Sequence, residues 1–196
     1  MDRAIEDYTK AIDLNPEYVA AYYNRGNTYV GKGEVDRAIE DYTKAIELNP
    51  EYVAAYTNRG AAYANKGEID LAIEDYTKAI GLNPEYIDAY YNRGAAYKDK
   101  GEIDLVIRDC TKVIELNPED AEAYYHRGAA YKDKGDFAKA ISDYTKAIEL
   151  NPEDADAYFN RGNTYTDKGE IDLAIQDYNK AIELSLIHIS EPTRPY

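Results

Sequence analysis

Apolar side chains recur along this chain at two spacings at once. Locally they fall three and four residues apart. Val35, Ala38, Ile39, Tyr42, Ala45 and Ile46 trace one stripe of a helix, and Tyr22, Gly26 and Tyr29 trace one on a helix before it. Over longer range the whole pattern returns: Pro16, Pro50, Pro84, Pro118 and Pro152 stand 34 residues apart. The glycine columns Gly26, Gly60, Gly94, Gly128, Gly162 and Gly33, Gly67, Gly101, Gly135, Gly169 keep the same period. Self-similarity of this kind marks a repeat architecture.

Each period predicts two helices. Lys32-Gly33 separates them, because glycine suits the left-handed residue that ends a helix. Asn49-Pro50 ends the second helix, since proline cannot continue the backbone ladder. The repeats divide the chain into 1–18, a second helix only; the full units 19–52, 53–86, 87–120 and 121–154; a shortened unit 155–184; and a tail, 185–196. Gly26 and its equivalents sit mid-helix, where glycine costs about 1 kcal/mol against alanine. The alanines of the facing helix, such as Ala38 and Ala72, suggest a close crossing as the reason.

An aromatic, a glycine and a tyrosine in the first helix, alanine, tyrosine and alanine in the second, then proline, on this period, resembles the tetratricopeptide repeat. The resemblance covers residues 1–184. It implies an all-α, right-handed superhelical solenoid of antiparallel helix hairpins, with first helices lining a concave groove. It also implies a protein-interaction scaffold that binds an extended peptide or partner segment there. Two columns depart from the family. The first-helix aromatic is Tyr (Tyr22, Tyr56, Tyr90, Tyr124, Tyr158) where the family often has Trp. The residue before the glycine is Arg (Arg25, Arg59, Arg93, Arg127, Arg161) where Leu is more usual.

Each of those arginines has an aspartate 16 residues later: Asp41, Asp75, Asp109, Asp143, Asp177. In an antiparallel hairpin the two stand at one height. One reading is a ladder of partly buried pairs, which would fix register more than add stability. The other is a solvated face. The partner of each arginine is either the aspartate of its own unit or that of the preceding one. Pro50, Pro84, Pro118 and Pro152, the mid-helix glycines, and the Arg93 and Asp109 pair are accordingly read as structural.

Composition narrows the partners. The net charge is −15, with 38 acidic against 23 basic residues. A surface so acidic repels phosphate backbones and acidic membranes, so neither nucleic acid nor membrane is expected. One cysteine, Cys110, excludes an internal disulfide. It occupies the tyrosine column of the second helix, which reads as a core substitution. No His/Cys cluster has metal-ligand spacing and no phosphate loop is present. The chain is therefore read as no enzyme, without cofactor or metal. Without a signal-peptide pattern the expected compartment is the cytoplasm.

The resemblance names the groove columns. They are Tyr23, Thr57, Tyr91, Tyr125, Phe159; then Asn24, Asn58, Asn92, His126, Asn160; then Asn27, Ala61, Ala95, Ala129, Asn163. Lys98 and Lys132 stand near the rim. An amide carries both a donor and an acceptor, so an asparagine column can pair with a peptide backbone. The column resembles the asparagine ladder in the tetratricopeptide part of O-GlcNAc transferases. The alternative is that these amides bond within the hairpins or to water. The basic clamp by which chaperone-binding members grip a carboxylate is absent at Tyr23, Asn24, Thr57, Asn58, Asp88 and Asn92.

After Leu184 the pattern expects Asn-Pro but reads SLIHISEPTRPY. The string from Leu184 to Arg194 resembles a translated sequencing-library adapter. The natural protein is then expected to carry more units, or another domain, beyond one or both ends. Two other functions follow: the recruiting arm of a larger enzyme, or a self-associating structural module. Without a capping helix, Ile5, Tyr8 and Ile12 of the first helix are expected to be exposed.

Overall fold

The computed structural model describes residues 1–190, with side chains as far as Leu186. Among these residues eleven α-helices occur and no strand. They are α1 (Asp2–Leu14), α2 (Val19–Gly31), α3 (Val35–Leu48), α4 (Val53–Asn65), α5 (Ile69–Leu82), α6 (Ile87–Asp99), α7 (Ile103–Leu116), α8 (Ala121–Asp133), α9 (Phe137–Leu150), α10 (Ala155–Lys168) and α11 (Ile171–Ser190). The fold is an all-α helical repeat of the solenoid class, as the period predicts. It divides into two compact units: Met1–Glu102, with α1–α6, and Ile103 onward, with α7–α11. Helix α11 runs on past Leu184, where the repeat pattern stops. The end of the aberrant tail, 191–196, lies outside the described residues.

The two kinds of turn follow from their residues. Gly33 has φ of 77°, and its four counterparts lie between 73° and 83°. Only glycine adopts that geometry at little cost. The N–H of Gly33 then donates to the carbonyl of Val30, and that of Glu34 to Tyr29, which closes the helix end. Asn49 instead is extended, with φ −137°, as a residue before proline prefers to be. Its side-chain oxygen accepts the N–H of Glu51 at 3.1 Å. Asn15, Asn83 and Asn117 make the same side-chain turn.

Neighbouring helices pack on small residues. In the first unit Ala38, Ala45, Ala55, Ala72, Ala79 and Ala89 are completely buried, with Tyr42 and Tyr76 filling the space between them. The mid-helix glycines serve this packing. A Cβ on Gly26 would stand 2.8 Å from the ring of Tyr42, and one on Gly60 would stand 2.8 Å from Tyr76 and 3.2 Å from the carbonyl of Ala72. The facing alanine is close, as expected, but the tyrosine ring is the nearer obstacle. A Cβ on Gly94, by contrast, would meet nothing within 4 Å.

One expectation is corrected. Ile12 is buried, and Ile5 and Tyr8 are partly buried. Helix α2 packs on α1, and Ile5 joins the cluster built on Tyr29 and Tyr42. On α1 the exposed apolar residue is Leu14 instead, and among the described residues α11 carries the largest group, at Ile171, Leu173, Ile175, Ile182 and Leu186. Among the described residues no helix is long and apolar enough to cross a membrane.

Candidate functional site

The arginine column holds the first helices in place. Arg25 donates from Nε (2.8 Å) and Nη2 (2.7 Å) to the two carboxylate oxygens of Asp41, and from Nη1 to Thr9 Oγ1 (3.0 Å). Arg59 does the same with Asp75 and Thr43. In the second unit Arg127 binds Asp143 and Thr111, and Arg161 binds Asp177 and Thr145. Arg93 reaches Thr77 at 3.0 Å. Each of these four aspartates is thus taken by the arginine of its own unit. The preceding unit supplies a threonine.

One guanidinium therefore ties three helices. It lies between tyrosine rings as well: Arg25 Cζ is 5.8 Å from the ring centroid of Tyr22 and 5.9 Å from that of Tyr29. Arg59 and Arg161 lie between two rings in the same way. The carboxylate bond pushes the pKa of Arg25 up, against the opposing effect of burial. Asp41, Asp75, Asp143 and Asp177 are buried, which sets aside the solvated-face reading for these pairs.

A second ladder runs along the surface. Lys32, Lys66, Lys100 and Lys134 each pair with an aspartate 30 residues earlier: Asp2, Asp36, Asp70 and Asp104. Neither the threonines nor these lysines stand out in the sequence as partners. Both recur with the period, which is the one signal there that could have found them.

With the helices so held, some residues of the expected groove columns meet within each unit. In the first unit the amide nitrogen of Asn58 donates to Tyr23 Oη (3.0 Å) and to Asn27 Oδ1 (2.9 Å). Asn27 Oδ1 also accepts from Tyr42 Oη at 2.7 Å. In the second unit Asn160 donates to Tyr125 Oη and to the carbonyl of Asp156, both at 2.9 Å. Asn163 accepts from Tyr178 Oη at 2.9 Å. The donors of Asn58 and Asn160 are therefore engaged inside the protein. Asn24 and Asn92 are partly buried, and their side-chain amides bond to none of the described residues. The difference at Asn92 has a cause in the sequence. Asn58 and Asn160 each donate to a tyrosine 35 residues earlier, and the residue 35 before Asn92 is Thr57. Thr57 is buried and its hydroxyl donates to the carbonyl of Val53.

The remaining candidates differ in exposure and in partners. Tyr91 and His126 are partly buried, and His126 stands 3.3 Å from Glu122. Lys98 is exposed, and Lys132 pairs with Asp167 at 3.5 Å. Phe159 is half exposed; with Asn163, Tyr178, Ile182 and Leu186 it lines a cavity of about 630 Å³. Burial, with the carboxylates of Asp156 and Asp154, pushes the Tyr125 hydroxyl pKa up. Two residues missed from sequence stand beside the face. Tyr52 leans on Tyr23 with ring centroids 4.9 Å apart, and Tyr86 packs into the same cluster. Their column, Tyr18, Tyr52, Tyr86, Asp120, Asp154, changes character along the chain.

For chemistry, the face offers amides, aromatic rings and carboxylates. Burial pushes the Cys110 thiol up to about 12, so it stays protonated at neutral pH. Among the described residues no group of three or more His, Cys, Asp or Glu side chains could hold a metal ion.

The family profile described as TPR repeat matches residues 1–33, 26–67 and 62–101, and the one described as tetratricopeptide repeat matches 87–120, 121–154 and 155–185. Two crystal structures of MamA are similar. One is 32% identical over 84% of this chain and 96% of that one, with a TM-score of 0.79. The other is 30% identical over 92% and 99%, with a TM-score of 0.82. YrrB, whose crystal structure is described as a TPR protein with an unusual peptide-binding site, is 30% identical over 94% of this chain and 95% of its own, with a TM-score of 0.78. No curated protein matches the chain significantly.

Proposed function

The chain belongs to the tetratricopeptide repeat family, and from that premise we propose that it is a protein-interaction scaffold holding an extended peptide along the first-helix face of its first unit. The observation that carries this reading is the state of Asn24 and Asn92. Both stand in the groove column, and both keep donor and acceptor available for a peptide unit. Asn58, between them in sequence, keeps its carbonyl oxygen, which can accept a peptide N–H. The ladder is thus mixed, with two whole amides around one acceptor. The partly open tyrosines beside it supply apolar contact. The described peptide-binding site of YrrB, on a similar fold, supports the same use.

The test uses peptides selected on the chain from a random display library. Replacing Asn24 and Asn92 with Ala is expected to weaken them about tenfold, while circular dichroism and melting stay unchanged. Unchanged affinity in a folded double variant would sink the reading. The same binding function serves a free-standing scaffold or the recruiting arm of an enzyme.

Self-association is a second reading with one observation in its favour, the exposed Ile171, Ile175, Ile182 and Leu186 on α11. Sedimentation velocity over a concentration series decides it: a single monomer boundary at every concentration removes this reading.

A further inference from the structure

The tyrosine column of the first unit is interrupted where it should be continuous. Helix α4 lies between α2 and α6. Its position in the column holds Thr57, while α2 has Tyr23 and α6 has Tyr91. Thr57 is buried, and its hydroxyl is tied to its own helix. By the repeat, the ring that α2 and α6 carry at this position is missing from α4, above a Thr57 that is itself buried, and the space of that missing ring is the notch. Next to Thr57 along the face come only Ala61 and Ala64.

The walls of the notch are aromatic. Tyr52 precedes α4 and lies against Tyr23. Tyr86 precedes α6 and, by the repeat, stands to Thr57 as Tyr52 stands to Tyr23. With threonine there, Tyr86 has no ring to lean on, and it makes no ring contact with the described residues. It packs with Tyr23 and Tyr52 in one cluster. The rim is acidic. Asp88 is exposed there, and burial together with this carboxylate raises the pKa of the Tyr86 hydroxyl. Asn92 adds an amide whose donor and acceptor bond to none of the described side chains.

We infer that this notch is a specificity subsite for the side chain of an arginine or lysine on the bound peptide. The inference rests on the proposed use of the face for peptides. Three features select a cation. The faces of Tyr52 and Tyr86 carry negative quadrupole charge, which attracts a guanidinium or ammonium within about 6 Å. Asp88 supplies a full negative charge beside them. The protein as a whole is at −15, so a basic segment is drawn towards it and an acidic one repelled. The chain already uses this chemistry internally, holding Arg25 and Arg59 between paired tyrosine rings.

The experiment selects random nonapeptides from a display library on the whole chain and on two variants. Thr57→Tyr restores the residue of the neighbouring units and fills the notch, and its new hydroxyl can also take the donor of Asn92. Asp88→Asn removes the charge and leaves the shape. On the parent, one peptide position is expected to be enriched in Arg and Lys. Exchanging that residue for norleucine should weaken the peptide about tenfold. Thr57→Tyr should abolish the enrichment with melting unchanged or raised, and Asp88→Asn should reduce it. Peptides that bind the face with no basic position, or whose basic preference survives Thr57→Tyr, overturn the inference and leave the scaffold reading intact. If no peptide binds at all, both fall.

Discussion

The two compact units begin their helices differently. In the first unit α2, α4 and α6 follow Tyr18, Tyr52 and Tyr86, and no side chain caps them. In the second, α8 and α10 follow Asp120 and Asp154, whose carboxylates accept the N–H of Ala123 (3.0 Å) and Ala157 (3.1 Å). A cap of this kind contributes about 1 kcal/mol, and the first unit forgoes it three times. The arginine rung, by contrast, is the same in both: Arg59 with Asp75 and Arg127 with Asp143 differ by no more than 0.1 Å at either bond. The arginine and aspartate of the rung do not change between these repeats. Residues at the edge of the proposed binding face do. Tyrosine there gives up the cap and packs on the cluster around Tyr23 instead.

The largest effect is expected at the rung that the units share. Asp75→Ala leaves the guanidinium of Arg59 among tyrosine rings without its carboxylate. Stranding a buried charge costs roughly 3–5 kcal/mol, and partial exposure of Arg59 brings this to about 2–3. Asp143→Ala in the second unit should cost the same, measured by urea unfolding. Arg59→Leu with Asp75→Leu should recover most of the loss. A double variant that melts as high as the parent assigns the rung to register; unequal losses at Asp75 and Asp143 would break the claim that the rung is common.

Next come the mid-helix glycines, where sign decides. Gly60→Ala drives a methyl to within 2.8 Å of Tyr76 and 3.2 Å of a backbone oxygen, and overpacking of that kind costs roughly 1–3 kcal/mol. Gly94→Ala meets open space and should gain about 1 kcal/mol from helix propensity. Melting temperatures should move in opposite directions. If both fall, the close crossing at Gly60 is not what sets the column.

The helices, both kinds of turn and the arginine–aspartate spacing were legible because each depends on residues within one period. Gly33 and Asn49 carry their turn geometry in their own chemistry, and Arg25 and Asp41 are brought level by one hairpin. What was not legible depends on how one repeat leans on the next. Thr9 as second hydrogen-bond partner of Arg25, Tyr23 as acceptor for Asn58, and the burial of Ile12 on the side of α2 all arise between repeats. A 34-residue period fixes the order of such contacts but not the rotation that decides which side chains meet. The asparagine column shows the consequence. Read alone its three members in the first unit are alike, yet Thr57 makes Asn92 differ from Asn58.

The caps give a third, smaller test. Asp154→Ala should cost about 1 kcal/mol in the second unit, and Tyr52→Asp should return a similar amount to α4 in the first. The second substitution also removes the ring that leans on Tyr23, so peptide binding should weaken while melting rises. Binding and stability moving in opposite directions is the outcome that the comparison requires. If Tyr52→Asp lowers both, the tyrosine belongs to the core and not to the face.

The smallest effect is expected at Gly81, where the first unit departs from the column Glu47, Glu115, Glu149, Glu183. Each of those glutamates pairs with the lysine three residues before it, at 3.0–3.2 Å. Gly81 lies inside α5, exposed, and a Cβ added to it would meet nothing within 4 Å. Lys78 therefore has no glutamate to meet at that position. Gly81→Ala should stabilise by about 0.5–1 kcal/mol through helix propensity alone. Gly81→Glu adds the ion pair, which at an exposed site is weak and screened by salt. Melting in low and high salt separates the two contributions: the alanine gain should persist in high salt, and any excess of glutamate over alanine should vanish. An alanine variant no more stable than the parent would mean that α5 needs flexibility there, and that this departure, like the tyrosines before the first helices, serves something other than stability.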